Sequence, residues 1–379
     1  MPATIAGTLR NALSPPGVEP LEPRALVDAA LILELAGETL RPRLVFATAP
    51  DGRELCLRPD LTVPTAIAIL EREAVDGTSK APAAYLCDGL VFRAARPGET
   101  RIPEFRQIGL ERYDDDDSLA ADIDILGRAL DAVASAGVRD VTLRLGDASL
   151  IPSMIEALAV PEPWRARLLS AAHSPALLTR RIAEAARPQT TPSPLSLAIH
   201  SLSPDAAEAA IANMLELAEA PLVGGRSAAM IAARMREQAE RAAAPPLSAD
   251  LAQALLDTLA IADAPSRALE TLHTIAAKFG GNLDDLTTQW GKRLSALAGN
   301  MPEARFEGSY TGSFDYYDGL LFEIDHPACT HQPIAAGGRY DSLLYKLSKG
   351  ERSAKAVGCE VRPDRVAQAL RAQAASILA

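Results

Sequence analysis

Residues 104–112, EFRQIGLER, predict a strand that carries a Gln and a Glu on either side of a glycine. Successive side chains of a strand point to opposite faces, so Gln107, Gly109 and Glu111 would share one face. An amide and a carboxylate around a glycine leave space there for a small polar group. The same pattern also occurs on the solvent-facing side of an edge strand, and the strand alone is compatible with both interpretations.

Two further groups of residues could complete a binding site for an amino acid. Asp60 and Thr62 add a second carboxylate and a hydroxyl. Tyr316, Tyr317 and Tyr340 add phenols, which combine a flat apolar surface with a hydrogen-bonding tip. Carboxylates bind an ammonium group, while aromatic walls and a polar floor enclose a side chain. Taken singly, each tyrosine is also typical of a half-buried core position.

Other kinds of site find little support in the sequence. His326, Cys329 and His331 have the residue types of metal ligands, but Pro327 and the flanking strand-like runs indicate a plain loop. The sequence contains neither a P-loop nor a dinucleotide-binding glycine motif. No Ser or Cys lies in a nucleophile motif, and the histidines lie outside the polar groups described above. We therefore expect no metal, no cofactor and no acyl-transfer chemistry.

Composition and charge restrict the class of protein. The chain has 379 residues, of which 48% are hydrophobic and 23% charged, so we expect two or three packed units. A net charge of −11, without a Lys/Arg-rich segment, argues against nucleic acid as the main partner. We expect no membrane span and no secretory signal. Four scattered cysteines suit a reducing cytoplasm rather than a disulfide framework.

The aromatic residues divide the chain. All 7 tyrosines lie outside residues 150–300. That region is rich in Ala, Leu and Glu, and its apolar residues recur at three- and four-residue spacing, which predicts amphipathic helices. Strand-like runs occur on both sides. We therefore predict a β-containing core, residues 1–140 and 301–379, interrupted by a mainly helical insertion at 141–300.

Local patterns predict the elements that must position the polar residues. Acidic residues 114–117 are typical of the solvated start of a long helix. Residues 313–325, SFDYYDGLLFEID, predict a hairpin with Asp318 and Gly319 in its turn. The remaining predicted elements are a helix over 23–37, strands over 40–47 and 54–59, a helix after Pro64, and two strands over 83–93 and 104–113 joined by a loop.

Five segments in the same chain order resemble signature segments of the histidyl-tRNA synthetases. They are AGETLRPRLVF (36–46), LRPDLT (57–62), GLVFRAARPGETRIPEFRQIGLERY (89–113), FDYYDGLLFE (314–323) and GGRYDSL (337–343). The segments lie on both sides of the predicted insertion. The resemblance implies an α+β fold with a class II aminoacyl-tRNA synthetase-like core, in which helices flank an antiparallel sheet, plus the helical insertion. We expect no anticodon-binding domain.

In that family the matching positions surround histidine. The resemblance therefore implies a set of histidine-binding residues in this chain. They are Asp60, Thr62, Arg93, Gln107, Glu111, Tyr316 and Tyr317, with Tyr340 nearby.

Other positions depart from the synthetase pattern. The family has an arginine where this chain has Gly312, and a glycine cannot supply the electrostatic stabilisation attributed to it. Ala95 replaces a glutamate of motif 2. Arg362 and Pro363 replace the glycine and the apolar residue that form the floor of the ATP site in motif 3. The amino-acid side thus resembles the family pattern while the ATP side departs from it, and we predict no synthetase catalysis.

This combination resembles the synthetase-like regulatory subunits of ATP phosphoribosyltransferase, which act in the first step of histidine biosynthesis. The resemblance implies a short catalytic subunit as partner, which this chain activates, and L-histidine as feedback effector. It also implies homodimers within a hetero-octamer, and neither tRNA nor a membrane as partner. Two alternatives stay open: a divergent ligase that activates histidine, and a free-standing histidine sensor or adaptor with another partner.

Overall fold

The chain divides into two compact units. A computed structural model describes residues 2–77, 83–95, 103–187, 192–219, 227–299, 301–330 and 332–378. The first unit contains Met1–Leu150, Ala260–Thr274 and Leu283–Ala379, and the second contains Ile151–Leu259 and Ile275–Asn282. Within the described ranges, no helix combines the length and the hydropathy that a membrane span requires.

Two sheets belong to the first unit. Their strands are β1 (Val18–Pro20), β2 (Leu26–Asp28), β3 (Val45–Thr48), β4 (Glu54–Leu57), β5 (Ala83–Phe92), β6 (Glu104–Tyr113), β7 (Thr142–Asp147), β8 (Ala262–Asp263), β9 (Glu303–Glu307), β10 (Leu320–Asp325), β11 (Ala335–Arg339) and β12 (Ala356–Val361). The large sheet has the order β1-β5-β6-β12-β11-β10-β7-β9-β8, and the small one β2-β4-β3. In the large sheet β1–β5 and β7–β9 pair in parallel. Its other pairs are antiparallel.

Helices occur in both units. They are α1 (Pro2–Leu13), α2 (Ala29–Ala36), α3 (Thr62–Asp76), α4 (Ser118–Ser135), α5 (Leu150–Ala157), α6 (Trp164–Leu169), α7 (Pro175–Ala185), α8 (Pro194–His200), α9 (Pro204–Leu217), α10 (Ala228–Ala243), α11 (Ala249–Ala260), α12 (Pro265–Ala277), α13 (Asp284–Leu297), α14 (Ser342–Leu347) and α15 (Pro363–Leu378). In the second unit, Ser193, Ser203 and Ser227 each accept a backbone hydrogen bond that caps a helix N-terminus. In the first unit, Asp117 caps α4 in the same way, as the acidic start predicts.

The boundaries of the expected insertion differ from those of the second unit. Strand β7 lies between β10 and β9, so residues 142–147 belong to the sheet. Helix α13 also belongs to the first unit. Its Trp290 Nε1 donates to Asp147 Oδ2 at 2.8 Å, and Arg293 Nε donates to Asp122 Oδ2 at 2.9 Å. Buried polar contacts therefore bind both ends of the predicted 141–300 insertion to the sheet-containing unit.

The predicted hairpin over residues 313–325 is wrong. Only β10 is a strand, and it pairs with β7 and β11. Residues 313–319 instead lie against the sheet, because glycines there leave room for their side chains. A Cβ at Gly338 would come 2.9 Å from Cδ1 of Tyr317. Asp318 is fixed by the backbone N–H groups of Asp341 and Ser342, at 2.9 and 2.7 Å.

Two shorter predictions need correction at their ends. The helix predicted over 23–37 begins only at α2, because Asp28 caps it by accepting from Leu31 N at 3.0 Å and the preceding residues form β2. The strand predicted over 40–47 starts late, since Glu38–Arg43 forms a 3-10 helix that contains Pro42. Proline has no N–H for a strand ladder. Most of the loop predicted between β5 and β6 lies outside the described residues.

Candidate functional site

A cavity of about 630 Å3 lies over one face of the large sheet, within the first unit. Alternation along β6 places Gln107, Gly109 and Glu111 in it, as the sequence predicts. Every residue of the predicted set except Tyr340 lines this cavity. The face of β6 that carries the polar residues is therefore a cavity wall and not the solvent side of an edge strand.

Acidic and hydroxyl groups form one half of the cavity. Thr62 Oγ1 donates to Glu111 Oε1 at 2.8 Å, and Tyr316 Oη donates to Asp60 Oδ2 at 2.9 Å. Asp60 and Glu111 are 4% and 3% exposed. We call Asp60, Thr62, Glu111, Tyr316 and Tyr317 the carboxylate half. Its two acids are held by neutral donors, so these bonds leave their charge uncompensated.

Burial shifts the acids of the carboxylate half toward their neutral forms. Burial raises the pKa of Glu111 to about 8, although hydrogen bonds from Tyr340 and Thr62 oppose the shift. Burial also raises the pKa of Asp60, opposed by the charge of Arg93 and the hydrogen bond from Tyr316. A ligand that brings a cation would restore the charged forms of both acids.

Tyr340 positions the site without lining it. Its hydroxyl donates to Glu111 Oε2, the atom that Thr62 leaves free. The ring packs edge-on against Tyr316, with 5.9 Å between the centroids, and Tyr316 packs against Tyr317 at 4.7 Å. Gly358 makes this arrangement possible, because a Cβ there would overlap the carboxylate of Glu111.

Guanidinium groups form the other half of the cavity. Arg362 stacks on the ring of Phe105, with 3.8 Å between its Cζ and the ring centroid, and Arg93 lies 5.2 Å from the same centroid. We call the cavity residues Arg93, Glu360 and Arg362, together with the Phe105 ring on which Arg362 stacks, the arginine half. Burial lowers the pKa of Arg362 to about 10; Glu360 and Asp364 oppose this shift. A flat ligand on Phe105 would have to displace the Arg362 side chain.

Several cavity residues were not predicted from the sequence. Glu360 shares its face of β12 with Gly358, and the strand alternation around Arg362 would have indicated it. Arg144 Nη2 contacts Glu323 Oε2 at 2.8 Å across the β7–β10 pair. Burial raises the pKa of Glu323 to about 7, opposed by Arg144. These two strands are far apart in the sequence, and no local pattern indicates that they pair. Arg43 and Tyr310 line the same cavity and were also missed.

The described residues offer neither an activated thiol nor a metal site. Burial raises the pKa of the Cys87 thiol to about 12, and it also raises the pKa of the Cys359 thiol, so neither is an activated nucleophile. His326 Nδ1 accepts from the N–H of Ala328 in a turn. His331 lies outside the described residues. Among the residues that are described, no three His, Cys, Asp or Glu side chains form a cluster suited to a metal ion.

Comparison with known proteins identifies the family. The family model described as histidyl-tRNA synthetase matches residues 3–254 and 217–366. The ATP phosphoribosyltransferase regulatory subunit of Sinorhizobium medicae strain WSM419 is 34% identical, over 93% of this chain and 92% of that protein. The protein of the same name from Rhizobium meliloti strain 1021 is also 34% identical, over 94% and 92%. This chain belongs to the ATP phosphoribosyltransferase regulatory subunits. The predicted family and the non-catalytic role are thereby confirmed.

Solved structures of this regulatory-subunit and synthetase fold support the architecture. An ATP phosphoribosyltransferase regulatory subunit/histidyl-tRNA synthetase from Bacillus halodurans has a TM-score of 0.62 at 19% identity, covering 97% of this chain and 79% of that one. Histidyl-tRNA synthetase from Nostoc sp. PCC 7120 has a TM-score of 0.60 at 15% identity, covering 98% and 72%. These likenesses confirm the predicted class II synthetase-like α+β fold. The sheet itself is mixed, because β1 and β9 add parallel pairs.

Proposed function

We propose that this regulatory subunit assembles with a short catalytic subunit of ATP phosphoribosyltransferase, activates it, and transmits feedback inhibition by L-histidine. The curated relatives carry the name of a regulatory subunit of this enzyme. We place the complex in the cytoplasm. The proposed assembly contains homodimers of this chain within a hetero-octamer.

The pattern of buried acids in the cavity supports L-histidine as the effector. Asp60 and Glu111 are buried beside neutral hydroxyl donors. An ammonium group or an imidazole N–H would give these carboxylates a favourable partner. Thr62, Tyr316 and Tyr317 surround them with hydroxyls and flat apolar surface. The proposed histidine ligands are therefore the residues of the carboxylate half together with Arg93 and Gln107, and Tyr340 holds Glu111.

The geometry favours this function over the ligase. Gly312 has a φ of +75° and supplies no side chain to stabilise a developing charge. Arg362 covers the face of Phe105, where a flat base would otherwise stack. Pyrophosphate exchange with ATP that depends on histidine and exceeds background would support the ligase instead. A histidine sensor with another partner would bind histidine without affecting the catalytic subunit.

Feedback requires a difference in affinity between two states. Histidine can inhibit the complex only if it binds the inhibited state more tightly than the active one. The unit that contains the cavity also exposes single apolar side chains on the two faces of its small sheet. Leu26 and Phe46 on the small sheet are 47% and 40% exposed. Ion pairs such as Arg24–Glu71 and Arg41–Glu54 lie near this sheet. A surface that carries both positive and negative side chains suits pairing with a second copy of itself in a two-fold homodimer.

The test is a rate measurement on the reconstituted complex. The condensation of ATP with phosphoribosyl pyrophosphate is measured with the short catalytic subunit of the same organism, alone, with this chain, and with this chain plus L-histidine. We expect this chain to raise the rate and added histidine to lower it again. An unchanged rate in all three mixtures, with both proteins folded, would contradict the proposal.

A further inference from the structure

Buried polar atoms without partners concentrate between β6 and β12. Nε2 and Oε1 of Gln107, Oε2 of Glu360 and Nε of Arg362 are buried and lack a hydrogen bond of standard geometry among the described residues. Gln107 approaches Glu360 closely enough to lower the pKa of that carboxyl, which burial raises. Buried polar groups are bonded in most proteins. The cluster therefore indicates a place where a polar group of a ligand belongs.

The strand register brings Gln107 and Arg362 together. Val361 pairs with Ile108 across the β12–β6 ladder, so Arg362 comes level with Gln107. Gln107 and Arg362 are 1% and 4% exposed, and both line the cavity. Glu111 lies four residues farther along β6, on the same face. Gln107 is thus placed between the acids of the carboxylate half and the guanidinium of Arg362.

Arg362 is held in place while its Nε–H donor has no hydrogen-bond partner among the described residues. Its Nη1 donates to Gln332 Oε1, its Nη2 lies 3.5 Å from Asp364 Oδ2, and its plane stacks on Phe105. A guanidinium has five N–H donors in a fixed fork that matches a carboxylate. The stacking fixes the orientation of the fork while leaving part of it unused. This is the arrangement of a preorganised carboxylate receptor.

The cavity therefore has buried acids at one end and guanidinium donors at the other. An α-amino acid carries an ammonium and a carboxylate on one carbon, and the two halves offer a partner to each. We infer that Arg362, with Gln107 beside it, binds the α-carboxylate of the amino-acid effector and makes the site reject analogues that lack this group. The inference rests on the proposed function, which it deepens by assigning a specificity-determining residue.

The experiment is isothermal titration calorimetry on the full chain. L-Histidine is compared with L-histidinol, in which a hydroxymethyl group replaces the carboxylate. We expect histidine to bind at least about tenfold more tightly than histidinol, because a charge-assisted contact is lost with the carboxylate. In Arg362→Gln, the affinity for histidine should fall about 10- to 100-fold, while the affinity for histidinol changes little. The variant should therefore no longer distinguish histidine from histidinol.

Two variants serve as controls. Arg365→Gln removes a neighbouring guanidinium that also donates to Gln332, at 3.1 Å, but does not line the cavity. This variant should prefer histidine over histidinol as strongly as the wild-type chain does. Arg362→Lys retains the charge and should recover part of the discrimination. Circular dichroism and thermal melting check the fold of each variant.

The outcomes separate the two proposals. Equal binding of histidine and histidinol by the wild-type chain would overturn the role of Arg362, even if Arg362→Gln did not fold. Unchanged discrimination in a folded Arg362→Gln would overturn it as well. Either result would leave histidine binding itself intact. If the wild-type chain bound no histidine, the proposed effector would fail together with this inference.

Discussion

In the carboxylate half of the cavity, buried acids are held by neutral hydroxyls. In the arginine half, the buried Arg362 guanidinium is held by an aromatic ring, by a glutamine and by a 3.5 Å ion pair with Asp364. Thr62 and Tyr340 satisfy the oxygens of Glu111 without supplying a positive charge. Arg362 stacks on Phe105 and fills the space beside it. The carboxylate half therefore favours a ligand that brings a cation. In the arginine half, Arg362 covers the ring on which a flat base would stack and keeps an unused N–H donor.

The largest effect is expected from closing the carboxylate half. In Gly358→Ala the new Cβ would overlap Glu111 and lie 2.8 Å from Tyr340 Oη. Overpacking of this kind costs about 1–3 kcal/mol of stability. The displaced carboxylate should weaken histidine binding by more than about 100-fold. Calorimetry and thermal melting measure the two effects.

The matched control for this variant is Gly7→Ala in α1, where a Cβ would meet no atom within 4 Å. It should bind histidine like the wild type. Wild-type affinity in Gly358→Ala would show that Glu111 is not needed where the structure places it.

The next largest loss of histidine affinity is expected when one acid of the cavity is replaced by its amide. Glu111→Gln and Asp60→Asn keep the size of each side chain, and each should weaken histidine binding about 10- to 100-fold without unfolding the chain. Glu303→Gln on β9 changes an exposed acid and serves as control. If both cavity variants bound histidine as the control does, the carboxylate half would not be the binding site.

A smaller effect is expected in the pH dependence of the free energy of unfolding. Between the ordinary pKa of 4.5 and the folded-state pKa of about 8, folded Glu111 holds a proton that the unfolded chain releases. Stability from this group is therefore present at low pH and lost as the pH rises through this window, at up to about 1.4 kcal/mol per pH unit. Urea denaturation from pH 5 to 9 should show a shallower loss in Glu111→Gln than in the wild type. Parallel curves would contradict the buried, protonated state of Glu111, since Glu323 titrates in both proteins.

The smallest effect on binding is expected from Phe105, which supports Arg362 but does not line the cavity. Phe105→Leu removes the ring on which Arg362 stacks and should cost about 0.5–2 kcal/mol of stability. It should weaken histidine binding less than Glu111→Gln does, because the guanidinium keeps its contact with Gln332. Chemical denaturation and calorimetry test this order. A larger loss of affinity than in Glu111→Gln would contradict this order of the two variants.

Sequence patterns predicted the parts of the site that depend on local geometry. The alternation along β6 placed Gln107 and Glu111 on one face, and the cavity confirms that placement. Residue type made Asp60 and the tyrosines candidates, but they are distant in the chain, and only the resemblance to the synthetases assigned them to one site together with Arg93. The hairpin prediction failed because Asp318 and Gly319 suit a turn, while the packing of Tyr317 on Gly338 decides the conformation.

The remaining cavity residues depend on strand order. Arg144 and Glu323 meet only because β7 pairs with β10, and 172 residues lie between the end of β7 and the start of β10. Arg362 was recognised as an obstacle to a nucleotide, but its stack on Phe105 depends on the β12–β6 register. Tertiary pairing of this kind leaves no periodic signal in a single sequence.

Histidine sensing by the cavity is tested most directly in the reconstituted complex. Histidine inhibition of the short catalytic subunit is measured in complexes built with the wild-type chain and with Glu111→Gln. We predict that both chains activate the catalytic subunit equally, and that the variant needs at least about tenfold more histidine for half-inhibition. Equal histidine sensitivity of the two complexes would contradict the claim that this cavity senses the effector.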